Sequence, residues 1–227
     1  MRLLAIECMQ SVLFAGVDEN DCERMLQCFE TVQRTYRSGQ EIPADHASRS
    51  VGIVLSGTVY LSGVDVHGNR AILERLEPGG VFGEVLAFAG AEQTGIAVMC
   101  ETDSRVVYIG YDHIVKRCEN ACPCHSRVVE NMLRLIADKT LSLSERVEVL
   151  SQRTIRDKLL CYFGQTARRE GAPHFRLPFS LSALADYLCV DRSAMMRELS
   201  RMKREGLLES SRREIVLHPL PMNSRLG

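Results

Sequence analysis

Residues 179–209, FSLSALADYLCVDRSAMMRELSRMKREGLLE, hold two helix starts, a short turn and a helix stop in one segment. Ser180 stands where a hydroxyl can cap LSALADYL, whose Leu181, Leu184, Ala185 and Leu188 share one face. Cys189 and Val190 make a short turn, and Asp191 caps a second helix running from Arg192 to about Glu205. Met195, Leu199 and Met202 follow one another at helical spacing and form its inward row, with Gly206 as the stop. Beyond it, LLESSRREIVLH alternates around a polar tip, the pattern of a β-hairpin. Helix, turn, helix and hairpin together predict a winged helix-turn-helix.

In that motif the second helix enters the major groove and turns its N-terminal outward residues to base edges. Here these are Arg192, Ser193, Met196 and Arg197. The planar fork of an arginine can bridge the O6 and N7 acceptors of guanine. Arg201, Lys203, Arg204, Arg212 and Arg213 lie at the far end of the helix and on the hairpin, where they suit phosphate contact. The charge of the chain is divided accordingly. Residues 151–227 carry 14 Lys and Arg against 8 Asp and Glu, a net of +6, whereas residues 1–150 carry 14 against 21, a net of −7. A basic tail beside an acidic front suggests that only the tail meets a polyanion.

The other 150 residues or so read as two further segments. From about Tyr36 to Tyr111, short β-branched runs such as VGIVLSG, TVYLSGVDV and SRVVYIG are cut by glycine, the signature of an antiparallel sandwich or barrel. His67-Gly68-Asn69 is a candidate hairpin turn. Residues 1–35 are more helical, with Asp18 or Asn20 as a cap before CERMLQCFETV. Between about Ser126 and Arg153 a long helix without glycine or proline carries Val129, Met132, Ile136, Leu143, Val147 and Leu150 as an apolar stripe, interrupted by Lys139 and Thr140. A helix of about 28 residues spans about 42 Å, more than one small domain covers, so part of the stripe needs another surface, most simply the same helix of a second chain. The expected division is residues 1–125 for a β-sandwich with N-terminal helices, 126–153 for the long helix, and 154–227 for the winged helix-turn-helix: an α+β fold.

The order of glycine-punctuated sandwich, long helix and winged helix-turn-helix resembles the Crp/Fnr superfamily of bacterial transcription regulators over nearly the whole chain. LSGTVYLSGVDVHGNRAILERLEPGGVFGEVLAFAG, residues 55–90, is similar to that family's cyclic-nucleotide-binding-type jelly roll, and residues 179–209 are similar to its DNA-binding segment. The resemblance implies a homodimer on approximately palindromic double-stranded DNA, contact with RNA polymerase, and a small-molecule effector of unidentified chemistry. It places the family's base-reading arginine on Arg197, and a second base-contact position on Arg192 with Ser193 beside it, where nucleotide-responsive members often carry Glu.

The cyclic-nucleotide version of the fold uses Gly-Glu-Leu and a following Arg-Ser or Arg-Thr to hold ribose and phosphate. This chain keeps Gly83 and Glu84 but has Gln93 at the arginine position, followed by Thr94. A neutral amide supplies no charge to the phosphate. The reading is therefore against cyclic AMP and cyclic GMP, and takes Gly83-Glu84 as a turn and a helix start. Another effector would occupy the equivalent pocket, near Gly83, Glu84, Gln93, Thr94, Val129, Met132 and Leu133.

Nine cysteines, an odd number in a chain of 227 residues, fit reduced thiols better than a disulfide framework. Cys118, Cys122, Cys124 and His125 crowd the approach to the long helix in RCENACPCHSR, with Pro123 at the helix start. Their spacing matches no standard zinc pattern, yet a thiol beside a helix N-terminus can react readily, so metal binding or redox sensing is a second reading beside plain loop filling. A sensor module that acts through protein contacts is the corresponding alternative function. No P-loop, HExxH or nucleophile and base pairing points to an enzyme. No window approaches the roughly 18 apolar residues of a membrane span, and the N-terminal MRLLAIECMQ lacks a secretory pattern, which predicts a cytoplasmic protein.

Overall fold

A computed structural model describes residues 1–43, 49–64, 70–89, 96–115 and 123–218. The chain divides into two compact units, residues 1–138 and 139–227, and the division falls within one continuous helix.

The front unit opens with α1 (Arg2–Cys8) and α2 (Glu19–Cys28), the latter capped by Asp18, whose Oδ1 accepts from the Asp21 N–H at 2.8 Å. There follow β1 (Val32–Tyr36), β2 (Glu41–Ile42), β3 (Ser50–Ser56), β4 (Val59–Val64), β5 (Arg70–Leu76), β6 (Val81–Phe82), α3 (Glu84–Ala89), β7 (Ile96–Cys100), β8 (Ser104–Gly110) and α4 (Tyr111–Val115). Two four-stranded antiparallel sheets result, ordered β1-β8-β3-β6 and β2-β7-β4-β5. The turn expected at His67 to Asn69 lies outside the described residues, between β4 and β5, which pair antiparallel from Val59 with Leu76 to Val64 with Arg70.

Strands β3 and β8 of the first sheet are buried on both faces, which explains why VGIVL and VVYI are continuous apolar runs. Val51, Ile53 and Leu55 of β3 and Val107 and Ile109 of β8 join α1 and α2 in one core. The alternate residues, Val54, Val106 and Tyr108, belong to a second core with Phe82 of the same sheet and Val59, Val98 and Cys100 from the facing sheet. Two hydroxyls buried there, on Tyr36 and Tyr108, satisfy each other at 2.8 Å.

The long helix α5 runs from Pro123 to Leu150, three residues earlier at both ends than its sequence pattern suggests. Its first half gives Val128, Met132 and Leu135 to the front core, and near its end Val149 enters the core of the second unit. Met132 therefore does not belong to an outward stripe. Val129, Leu133, Ile136, Thr140, Leu143, Val147 and Leu150 follow one another at spacings of four and three, Val129 and Ile136 half-buried against the front core and Leu133, Thr140, Leu143 and Val147 exposed. Leu133, Leu143 and Val147 stand 63%, 63% and 55% exposed.

The second unit adds α6 (Ile155–Glu170), β9 (His174–Arg176), α7 (Leu181–Tyr187), α8 (Arg192–Arg204), β10 (Leu208–Ser211) and β11 (Glu214–Leu217). The hairpin β10-β11 gains β9 as a third strand, so the Pro-flanked HFR is part of the wing sheet. Among the described residues no helix is long and apolar enough to cross a membrane.

Gly52 of β3 pairs with Phe82 of β6, and a Cβ at Gly52 would lie 2.5 Å from the Phe82 ring. Gly52→Ala is expected to destabilise the front unit by about 1–3 kcal/mol through overpacking, seen as a lower thermal midpoint, with Gly52→Ala/Phe82→Leu recovering part of the loss. An unchanged midpoint for Gly52→Ala would refute this packing.

Candidate nucleic-acid interface

Local hydrogen bonds build the helix-turn-helix. Ser180 Oγ accepts from the Ala183 N–H at 3.2 Å and starts α7. At its end, Cys189 adopts φ +53°, with its N–H donating to Asp186 O at 3.1 Å and the Val190 N–H to Ala185 O at 3.0 Å. This left-handed turn is a position that favours glycine, since a Cβ there meets the backbone. Asp191 Oδ1 then accepts from the Ala194 N–H at 2.8 Å and starts α8. Gly206, at φ +72°, ends the sequence of turns before the wing.

Two anchors from α6 fix how α8 lies within this unit. Arg156 Nε donates to Glu198 Oε1 at 2.6 Å, and its Nη1 and Nη2 donate to Glu205 at 2.7 and 3.1 Å. The hydrogen bonds from Arg156 hold the Glu205 carboxyl below the usual carboxylate range. Lys158 Nζ reaches the carbonyl of Leu188 in the turn at 3.1 Å. On its apolar edge α8 buries Met195, Leu199 and Met202 in a core with Leu159, Phe163 and Leu184.

The opposite edge carries Ser193, Arg197, Ser200 and Arg204, all exposed and spaced four, three and four apart. Ser200 completes this row, although its sequence position gives no warning of it: a serine within a helix carries no charge or period of its own. Its hydroxyl donates to Met196 O at 2.9 Å. Arg192 and Met196 flank the row and are exposed. Among the described residues the guanidinium groups of Arg192, Arg197, Arg204 and Arg212 have no hydrogen-bond or ion-pair partner.

The other cations expected on this surface are engaged within the unit. Arg201 Nε donates to Glu205 Oε1 at 3.0 Å, and Lys203 Nζ to Ser210 O at 2.6 Å. Arg213, half-buried, donates through Nε and Nη2 to Leu177 O at 2.9 and 2.7 Å, tying the wing to the segment after β9. Arg212 takes φ +53° at the wing tip and projects into solvent.

Five of the seven residues expected to form an effector pocket are among the described residues. Gly83 has φ +83° and its carbonyl accepts from the Ala87 N–H at 2.9 Å, so it makes the turn into α3, whose first residue is the buried Glu84. Met132 is packed in the front core while Leu133 is exposed and Val129 half-buried. Gln93 and Thr94 lie outside the described residues, as do Cys118 and Cys122. Cys124 Sγ donates to Asp21 Oδ2 at 2.8 Å, and His125, buried at the edge of the Phe29 ring, donates through Nε2 to Ile114 O at 2.8 Å. Among the described residues no group of three or more His, Cys, Asp or Glu could hold a metal ion.

Burial also governs the thiols of α1 and α2. It pushes the Cys8 pKa up to about 12, with Cys22 and Glu7 nearby adding to the effect, and that of Cys22 up to about 11. Cys28 and Cys189, in contrast, are exposed.

Residues 33–121 match the family model described as a cyclic nucleotide-binding domain, and residues 157–221 match that of a Crp-like helix-turn-helix domain. No curated protein matches the chain. Solved structures share the fold at low identity. The catabolite activator protein of Thermus thermophilus is 20% identical with a TM-score of 0.54, over 92% of this chain and 94% of that one. FixK2 from Bradyrhizobium japonicum is 23% identical with a TM-score of 0.51, over 83% and 93%. A CooA mutant from Carboxydothermus hydrogenoformans is 18% identical with a TM-score of 0.58, over 84% and 85%.

Two outcomes check this geometry. Cys189→Gly is expected to stabilise the protein by about 1 kcal/mol in denaturant unfolding by relieving the left-handed residue, and a loss of stability would contradict the strain. A thiol reagent at neutral pH is expected to label Cys28 and Cys189 in the native protein and Cys8 and Cys22 only after unfolding, as peptide mass spectrometry would show; prompt labelling of Cys8 would contradict the buried pair.

Proposed function

We propose that this chain, a Crp/Fnr-type transcription regulator by the two domains it carries, acts as a homodimer that reads an approximately palindromic DNA site with α8 and responds to a signal received in its front unit. The observation that carries the reading is the outward edge of α8, where Arg192 and Arg197 stand without intramolecular partners above a buried apolar edge. An unpaired guanidinium presented by a capped helix suits the O6 and N7 acceptors of guanine. Arg192, Ser193, Met196 and Arg197 read bases, with Ser200 beside them. Arg204 and Arg212 meet phosphates, joined by Arg201, Lys203 and Arg213 as far as their existing bonds allow.

The row from Val129 to Leu150 in α5 supports the homodimer. Its alternate spacing of four and three is a heptad seam, with Leu133, Thr140 and Val147 at one set of core positions and Val129, Ile136, Leu143 and Leu150 at the other. Covering a leucine is worth roughly 1.5–3 kcal/mol, and an equivalent helix from a second copy covers the exposed Leu133, Leu143 and Val147 at once. Two heads related by such a seam would meet half-sites about one helical turn apart. RNA polymerase would then be engaged from the DNA-bound dimer.

The effector is a small molecule or a redox signal and not a cyclic mononucleotide, because Gln93 brings no charge to a phosphate. A rod anchored in one core by Val128, Met132 and Leu135 and in another by Val149 gives that signal something to act on, provided the effector binds one arrangement better than the other.

In gel-shift assays on a selected site, Arg197→Ala is expected to lose about 1–3 kcal/mol of discrimination at one base pair per half-site. Arg212→Ala should weaken all sequences alike and lower the salt slope by about one. Unchanged selectivity for Arg197→Ala would remove α8 as the reading helix, and salt-insensitive binding would favour a module working through protein contacts. For the seam, Leu143→Glu is expected to give a monomer in sedimentation that binds the palindrome weakly; a persistent dimer would overturn it.

A further inference from the structure

Met196 is out of place by the rule that governs the rest of residues 154–218. Throughout residues 154–218, all of them described, it is the one large hydrophobic side chain that stands exposed, at 38%. Its neighbour Met195 and the next two apolar residues of α8, Leu199 and Met202, are at most 2% exposed. Packing among residues 154–218 therefore reaches nearly every large apolar group and leaves out this one.

Its surroundings say what it faces. At 100° per residue Met196 lies in a row with Arg192 one turn before it and Ser200 one turn after, adjacent to the row of Ser193, Arg197 and Arg204. It is thus an apolar side chain in the middle of the polar edge that the proposed function assigns to base reading. The major groove offers donors and acceptors on every base pair and a single kind of apolar group, the C5-methyl of thymine. An unbranched thioether with three rotatable bonds can settle over such a methyl without demanding one fixed geometry.

We infer that Met196 is a specificity-determining residue that recognises the C5-methyl group of a thymine next to the base read by Arg197. The inference rests on α8 being the reading helix and adds what no charged neighbour can supply, a preference for thymine over cytosine that comes from covering a methyl. Cytosine presents no methyl at that place, and its amino group meets an apolar surface there.

Deoxyuridine removes that methyl and nothing else, which gives the test. With the full chain and its selected duplex, each thymine is replaced in turn by deoxyuridine. At one thymine per half-site, the replacement is expected to weaken wild-type binding about fourfold, the effect of one buried methyl. Met196→Ala should bind the unmodified site about as weakly and be indifferent to the same replacement, while Met196→Leu should keep the sensitivity. Arg197→Ala should lose discrimination at its own base pair yet still respond to the missing methyl. If deoxyuridine changes nothing at any position, or weakens Met196→Ala as much as wild type, the inference on Met196 is overturned while a selective loss in Arg197→Ala leaves α8 as the reading helix. If both Met196→Ala and Arg197→Ala bind as wild type does, the inference falls together with that reading. The side chain is exposed and Asp191 supplies the cap, so both substitutions at Met196 leave the fold intact, which an unchanged thermal midpoint verifies.

Discussion

Met195, Leu199 and Met202 bury one edge of α8 in a core with Leu159, Phe163 and Leu184, and a helix whose one edge is fixed cannot choose what its other edge presents. Four features then hold the helix at one rotation and one place. Asp191 starts it, Gly206 follows its end, Arg156 grips Glu198 and Glu205, and Lys158 bonds the turn before it. These charged groups are spent inside the unit, and the arginines left over include those on the outward edge and at the wing tip. The interface is in this sense the remainder after the domain has satisfied itself. Preorganisation of this kind lowers what ordering the helix on DNA would cost.

The same logic runs along α5. One side of its first half completes the front core through Val128, Met132 and Leu135, and a different side of the helix exposes Leu133, Leu143 and Val147, the proposed seam. A helix of 28 residues can serve both because 3.6 residues per turn separates positions that are neighbours in sequence. Thr140 places a polar group in the middle of that row, which in the proposed two-stranded coil would weaken the seam locally.

Much of this was legible in the sequence because caps and stops are local chemistry. Asp18, Ser180, Asp191 and Gly206 each act within three or four residues, so the spacing alone locates them. Choices that depend on distant partners were not legible. Met132 and Leu133 both fit a three-four pattern, and only the front core decides that the first is inside and the second out. The strand HFR is too short and too close to prolines to announce itself, and it forms because β11 offers it an edge. Lys203 and Arg213 read as free cations, yet carbonyls of Ser210 and Leu177 lie within their reach. Ser200 is the converse, a residue without a signal that its helix brings to the outward edge.

Dimethyl sulfate interference on a selected duplex tests the central claim most directly, since it methylates guanine N7 and so blocks an arginine from the major-groove edge. Methylation of a guanine in each of two half-sites about one helical turn apart should abolish binding by the wild-type chain, and Arg197→Ala should lose that interference while still binding DNA. Binding by the wild-type chain that tolerates N7 methylation throughout the site would contradict α8 as a helix that reads the major groove.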